Sequence, residues 1–203
     1  AEGPTIQRAH DRALKNDVSL KKIFQLVSEF RKSDKETPIV LMGYLNTFIS
    51  HIDLVQSNQE DGIDSILVVD IPGELNLHDY GIDNPNINTI SLISPTTKDN
   101  RIELIAKNST GFIYYVNLRG VTGSSNLNLD EIKNNIGKIK QHSNLPVMAG
   151  FGIKTADDAK ILAESSEGIV IGSSIVEMIN EESNSKEFDR ISNYLKEMKA
   201  AIS

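Results

Sequence analysis

Six short segments rich in Val and Ile recur along the chain, with polar stretches of helical length between them. They are residues 38–42 (PIVLM), 65–71 (SILVVDI), 88–93 (NTISLI), 111–117 (GFIYYVN), 145–149 (LPVMA) and 168–171 (GIVI). Unbroken apolar runs this short predict strands buried on both faces. The stretches between them read as helices. Residues 97–108 carry Ile102, Leu104 and Ile105 at helix-like spacing, and 129–141 place Ile132, Ile136 and Ile139 on one face. Asn128 and Glu131 are spaced as a cap and its third-position acid, and Thr155 and Asp158 repeat that start before Ile161 and Leu162. The first 33 residues are also helical in pattern: Ile6, Ala9 and Ala13 share one face, and Leu20, Ile23, Phe24, Val27 and Phe30 another. Residues 81–88, with Asn84, Pro85 and Asn86, predict a poor or frayed helix. Parallel strands can be joined only by long crossovers, so this alternation specifies an α/β fold with a parallel sheet.

The strand count narrows the architecture without settling it. The segments recur at intervals of roughly 22 to 35 residues, the repeat of a β/α unit. A closed (β/α)₈ barrel takes about 250 residues and opens on a strand. This chain has 203 and opens on a helix. An eight-fold barrel without its first two strands fits that arithmetic, and so does a complete six-stranded open sheet. A single domain over 1–203 is expected in either case. Cysteine is absent, which removes disulfides, thiolate nucleophiles and Cys-ligated metals together. Acids outnumber bases 28 to 21, against a nucleic-acid surface. No apolar run is long enough to span a bilayer, and Ala1 to Thr5 lack the charged and apolar regions of a signal peptide. A cytoplasmic location is expected.

In both architectures ligands bind at the carboxyl ends of the strands, where the chain places its glycines. The fourth segment runs into Arg119-Gly120-Val121-Thr122-Gly123, the fifth into Gly150-Phe151-Gly152-Ile153 and the sixth into Gly172-Ser173-Ser174. Three adjacent glycine turns, each followed by a helix start, leave backbone N–H groups free to face an anion such as phosphate. Asp70, at the end of the second strand, is either an acid for catalysis or an acceptor for loop N–H groups, and the second reading is favoured. Tyr44 and Tyr114 either wall an aromatic pocket or fill a barrel. His10, His51, His78 and His142 are scattered without metal-ligand spacing, so no metal site is expected.

The strings Gly3-Pro4-Thr5-Ile6-Gln7, Leu41-Met42-Gly43-Tyr44-Leu45-Asn46, Leu67-Val68-Val69-Asp70-Ile71-Pro72, Ser94-Pro95-Thr96-Thr97, Gly120-Val121-Thr122-Gly123, Gly150-Phe151-Gly152-Ile153 and Ile171-Gly172-Ser173 occur in one order. Together they resemble the tryptophan synthase α subunit. That family is a TIM barrel that splits indole-3-glycerol phosphate into indole and glyceraldehyde 3-phosphate. It passes the indole to a β subunit, which carries the PLP; the α subunit needs no cofactor of its own. The resemblance implies that Gly123, Gly152, Gly172 and Ser173 cradle the phosphate. It further implies that Tyr44, Tyr114 and Phe151 surround the indole and glycerol parts, that Thr122 belongs to a closing loop, and that Asn46 and the segment near Gly43 face the β subunit in an α₂β₂ assembly.

Three departures shape the expectation. The family's acid–base Glu, on its first strand, has no counterpart here, so these residues alone are expected to be inactive. The second family carboxylate, an Asp before Gly-Pro, is replaced by Glu2. Gly73 stands where the family usually has the second Pro of Asp-hydrophobic-Pro-Pro. Two function classes therefore follow: the lyase, with Glu2 as one of two carboxylates, or a non-catalytic fragment that only binds the β subunit. Segments 38–42 and 168–171 are expected to be unpaired edges, an aggregation liability.

Overall fold

The computed structural model describes residues 3–58, 62–116, 129–150, 152–182 and 188–203. Glu2, Thr122, Gly123, Asn128 and Phe151 lie outside them. The described chain opens on two helices, α1 (Pro4–Lys15) and α2 (Leu20–Arg31), then enters β1 (Val40–Gly43). Two short helices, α3 (Leu45–Ile49) and α4 (Ile52–Gln56), lead to β2 (Ser65–Val68). A 3₁₀ turn at Leu77–Tyr80 precedes β3 (Asn88–Ile93), and α5 (Asp99–Asn108) leads to β4 (Ile113–Val116). Then follow α6 (Leu129–His142), β5 (Val147–Gly150), α7 (Ala156–Ala163), β6 (Gly168–Ile169), α8 (Ser173–Glu181) and α9 (Asp189–Ala201).

Local chemistry sets the helix starts. Pro4 occupies the first turn of α1, where its missing N–H costs nothing. The Ser19 side chain accepts from the Lys22 N–H at the start of α2. Thr155 and Asp158 form the full capping box of α7, as their spacing predicts.

The six strands lie in the order β1-β2-β3-β4-β5-β6, every neighbour parallel. This order decides between the two architectures. A doubly wound open sheet reverses its strand order at a switch point, whereas an unbroken order sends every right-handed crossover to the same face. All the helices then cover one face, and the sheet curls into an arc of a β/α barrel.

The helix-covered face holds two apolar clusters. Leu20, Val27, Phe48, Val55, Ile66 and Val68 form one, under α2 to α4. Ile105, Ile113, Tyr115, Ile136, Val147 and Leu162 belong to the other, under α5 to α7. The alternate residues of the strands point to the concave side. Leu67 and Ile90 are buried there but belong to neither cluster, and Leu92, Tyr114 and Met148 continue the row across β3, β4 and β5.

Burial on both faces holds fully for β2 alone among the described strands. Met42 on β1 is 56% exposed, and β6 is half-buried throughout. Among the described residues β1 pairs only with β2 and β6 only with β5, so both are edges. The segment 82–87 is not a frayed helix. The Asn84 side chain is buried and reaches the carbonyl oxygens of Val55, Gln56 and Asn58 at 2.9, 3.1 and 3.2 Å, while its own oxygen accepts the Asn86 N–H. A side chain therefore supplies the hydrogen bonds that a helix would have made.

At the amino ends of β1 and β2 a buried Arg31 closes the layer. Its guanidinium donates to Gly62 O at 2.9 Å, Thr37 O at 2.7 Å and Asp64 Oδ2 at 2.7 Å, and the same Asp64 oxygen accepts the Ile39 N–H. Gly73 also has a packing role. A Cβ there would sit 3.0 Å from Ile105 Cγ2, so the glycine lets α5 lie close to the segment after β2. The Asn108 side chain and the Arg101–Glu74 ion pair fasten that segment to α5, and Arg101 holds the Glu74 carboxyl below its ordinary range.

Candidate functional site

The carboxyl ends of the strands meet at one rim of the arc. Tyr44 follows β1 there, caps the start of α3 with its backbone and is 40% exposed. At the end of β2, Asp70 Oδ1 accepts the Leu45 N–H at 2.7 Å, which is the loop-bonding role favoured from sequence. The bond ties the turn after β1 to the turn after β2.

Tyr114 stands on the concave face of β4, paired in register with Leu92 and Met148. Its seat depends on Gly150. A Cβ at Gly150 would lie 2.5 Å from Tyr114 Cε2 and 2.8 Å from Cζ, so the ring occupies the space that the missing side chain leaves. Burial pushes the Tyr114 phenol above its ordinary value, which keeps it a neutral donor. Two strands stand between β1 and β4, so Tyr44 and Tyr114 approach the rim from separate places. Tyr115 points the opposite way, toward α6, where the Asn135 side chain donates to its hydroxyl at 2.9 Å.

The glycine turns of the last two strands lie side by side. Gly152 has φ +65°, the left-handed backbone that a side chain would strain. Gly172 is the N-cap of α8, and nothing lies within 4 Å of where its Cβ would be. α8 starts with neither a side-chain cap nor an acid in its first turn, so its positive end faces the rim uncompensated. Ser173 is exposed at its first position. The Ser174 hydroxyl donates to Ile153 O at 2.9 Å and so brings the turn after β5 against the start of α8. That bond sets Gly152 near Gly172 and Ser173, at the ends of two adjacent strands. Sequence reasoning gave Ser174 no role; its neighbour Ser173 carried the signal.

The other end of β6 differs from what a simple strand end suggests. A Cβ at Gly168 would press on Met148 Sδ at 2.5 Å, inside the arc. Gly168→Ala would therefore require the Met148 thioether to shift. No group of three His, Cys, Asp or Glu that could hold a metal occurs among the described residues. His51 Nδ1 contacts Thr47 O at 3.0 Å, and His78 lies 3.3 Å from Asp83, both local surface contacts.

The sequence profile described as tryptophan synthase alpha chain matches residues 1–203. The chain belongs to that family. The tryptophan synthase alpha chain of Nitrosomonas europaea is 44% identical over 183 residues, spanning 88% of this chain and 66% of that protein. That of Cupriavidus taiwanensis is 38% identical over 210 residues, spanning 100% of this chain and 77% of the other. Against this first relative the chain therefore spans just under two thirds of the length. The alpha subunit structure from Legionella pneumophila superposes with a TM-score of 0.86 at 36% identity, covering 99% of this chain and 76% of that one. The tryptophan synthase a2b2 complex of Pyrococcus furiosus gives 0.86 at 32% identity, over 98% and 82%. The six parallel strands of this chain thus share the TIM-barrel fold of that family, and the family catalyses a lyase reaction of tryptophan biosynthesis. No helix among the described residues is long and apolar enough to cross a membrane.

Proposed function

We propose that the protein catalyses the retro-aldol cleavage of indole-3-glycerol phosphate to indole and glyceraldehyde 3-phosphate in the cytoplasm. It passes the indole to a PLP-bearing β subunit in an α₂β₂ assembly. The observation that carries this reading is the pairing of the Gly152 turn with the uncapped start of α8, at adjacent strand ends and on the rim toward which Tyr114 stands.

In this reaction a proton is added to indole C3, the side-chain hydroxyl gives up its proton, and the C3–Cα bond breaks. The hydroxyl carbon becomes the aldehyde, and the bonding pair returns to the ring. A carboxylate that accepts a hydrogen bond from the ring N–H stabilises the tautomer through which the bond breaks, and Glu2 is assigned that role. The dianionic phosphate does not react. Its binding at the cradle of Gly123, Gly152, Gly172 and Ser173 supplies remote binding energy that holds the reacting carbon in place. Tyr44, Tyr114 and Phe151 line the indole and glycerol, and the Thr122 loop closes over them to exclude water. PLP belongs to the β subunit, and no step of the α reaction runs through it. None of the 203 residues matches the family's acid–base Glu, so the reaction is assigned to the whole protein and residues 1–203 by themselves are expected to be inactive.

Indole release from indole-3-glycerol phosphate by the full-length protein, with and without a β subunit, tests the reading. Release of indole and aldehyde in equal amounts, faster with the β subunit present, is the expected result. Absence of release in both conditions overturns it.

A further inference from the structure

We propose that Ser174 is a positioning residue for the substrate phosphate: its hydroxyl fixes the spacing between the turn after β5 and the start of α8, the two backbone segments that meet the anion. The inference rests on the substrate reading above and adds to it a residue that does not itself touch substrate.

Ser174 is the second residue of α8, a place from which a serine hydroxyl often serves its own helix or a bound anion. Here it is committed elsewhere. Its Oγ donates to Ile153 O at 2.9 Å, across 21 residues of sequence. Ile153 is only 3% exposed and packs in the apolar cluster with Ala159 and Leu162, so the accepting carbonyl is held from below. The residue before it is Gly152, whose left-handed backbone lets the chain turn back toward α8. The carbonyl of Gly172, in turn, accepts the Ile175 and Val176 N–H groups at 3.1 Å each, which makes the first turn of α8 one rigid piece with its cap. The Ser174 hydrogen bond therefore ties the turn after β5 to the first turn of α8, beyond the β5–β6 pairing below them.

Tyr194 of α9 lies beside this contact. Its ring packs against the same cluster, and its hydroxyl is buried beside Ser174. Burial pushes that phenol above its ordinary value, so it keeps its proton. Small errors in the placement of binding groups propagate into large losses of catalysis, and so the spacing matters beyond stability.

The test uses the full-length protein and three variants. Ser174→Ala should raise KM for indole-3-glycerol phosphate and weaken glycerol 3-phosphate binding by about five- to tenfold, with kcat within about twofold. Ser174→Thr keeps the hydroxyl and should stay within about twofold of wild type. Ser166→Ala removes a comparable bond at the far end of β6, where Ser166 Oγ contacts Leu162 O at 2.9 Å and Gly168 O at 3.0 Å. It should lower Tm and leave KM alone. A wild-type KM in Ser174→Ala, whatever its Tm, overturns the inference, as does an equal KM rise in Ser166→Ala. If wild type binds glycerol 3-phosphate and Ser174→Ala binds it equally, this inference alone falls. If wild type binds none, the substrate reading falls and takes this inference with it.

Discussion

Arg31→Leu is expected to destabilise the protein by about 3 kcal/mol, a large share of the roughly 5–15 kcal/mol that holds a domain of this kind together. The guanidinium is 5% exposed, and its carboxylate partner Asp64 is 40% exposed. Leucine fills most of the volume but offers no donor. Gly62 O, Thr37 O and Asp64 Oδ2 would all lose their bonds at once, and Asp64 would keep only the Ile39 N–H. Removing one side of a buried pair leaves the other uncompensated, which costs more than the pair itself contributes. The partial exposure of Asp64 places the loss at the lower end of that range. Arg31→Lys should recover less than half, because one ammonium cannot reach Gly62 O, Asp34 O, Thr37 O and Asp64 Oδ2 together. Urea unfolding curves measure both. A loss below about 1 kcal/mol for Arg31→Leu would mean that water satisfies these acceptors equally well.

Gly150→Ala should cost about 1–3 kcal/mol and move the Tyr114 ring out of its seat. The added Cβ would stand 2.5 Å from Tyr114 Cε2, and Met148 and Leu92 flank the ring across the sheet in register. Since Tyr114 faces the rim, the same change should raise KM for a phosphate-bearing indole substrate. Truncating the ring should relieve the clash. Tyr114→Leu combined with Gly150→Ala is expected to be more stable than the sum of the two single changes predicts, with a coupling of about 1 kcal/mol or more. Strict additivity across that double-mutant cycle would show that ring and glycine do not share the space.

These two sites differ in how far the sequence reveals them. The strands are visible as apolar runs, but the runs overstate their length. Residues 65–71 read as one strand, whereas pairing ends at Val68, after which the Val69 N–H bonds Gly43 O and the chain turns at Asp70. Helices α3 and α4 were hidden because five residues each are too few to establish a 3.6-residue period. The stretch around Asn84 shows only turn-forming residues; its partners lie 26 to 29 positions away and cannot be read locally. Strand order was equally out of reach, since equal spacing suits both an arc and a reversed sheet. The glycine turns of the site were legible because backbone chemistry dictates them one residue at a time. What Gly150 and Gly168 make room for was not, because Tyr114 and Met148 reach them only through the register of neighbouring strands.

The central claim is that a phosphate sits at the carboxyl end of β6, against the start of α8. Gly172 isolates that claim from folding. Among the described residues, nothing beyond its chain neighbours lies within 4 Å of where its Cβ would be, so a substitution there has room. Titration of glycerol 3-phosphate into the full-length wild type and Gly172→Val, both checked for equal Tm, measures it directly. The account predicts one bound equivalent for wild type and a loss of about 1–3 kcal/mol, roughly ten- to a hundredfold in affinity, for the variant. Equal binding by a folded Gly172→Val would place the phosphate somewhere else.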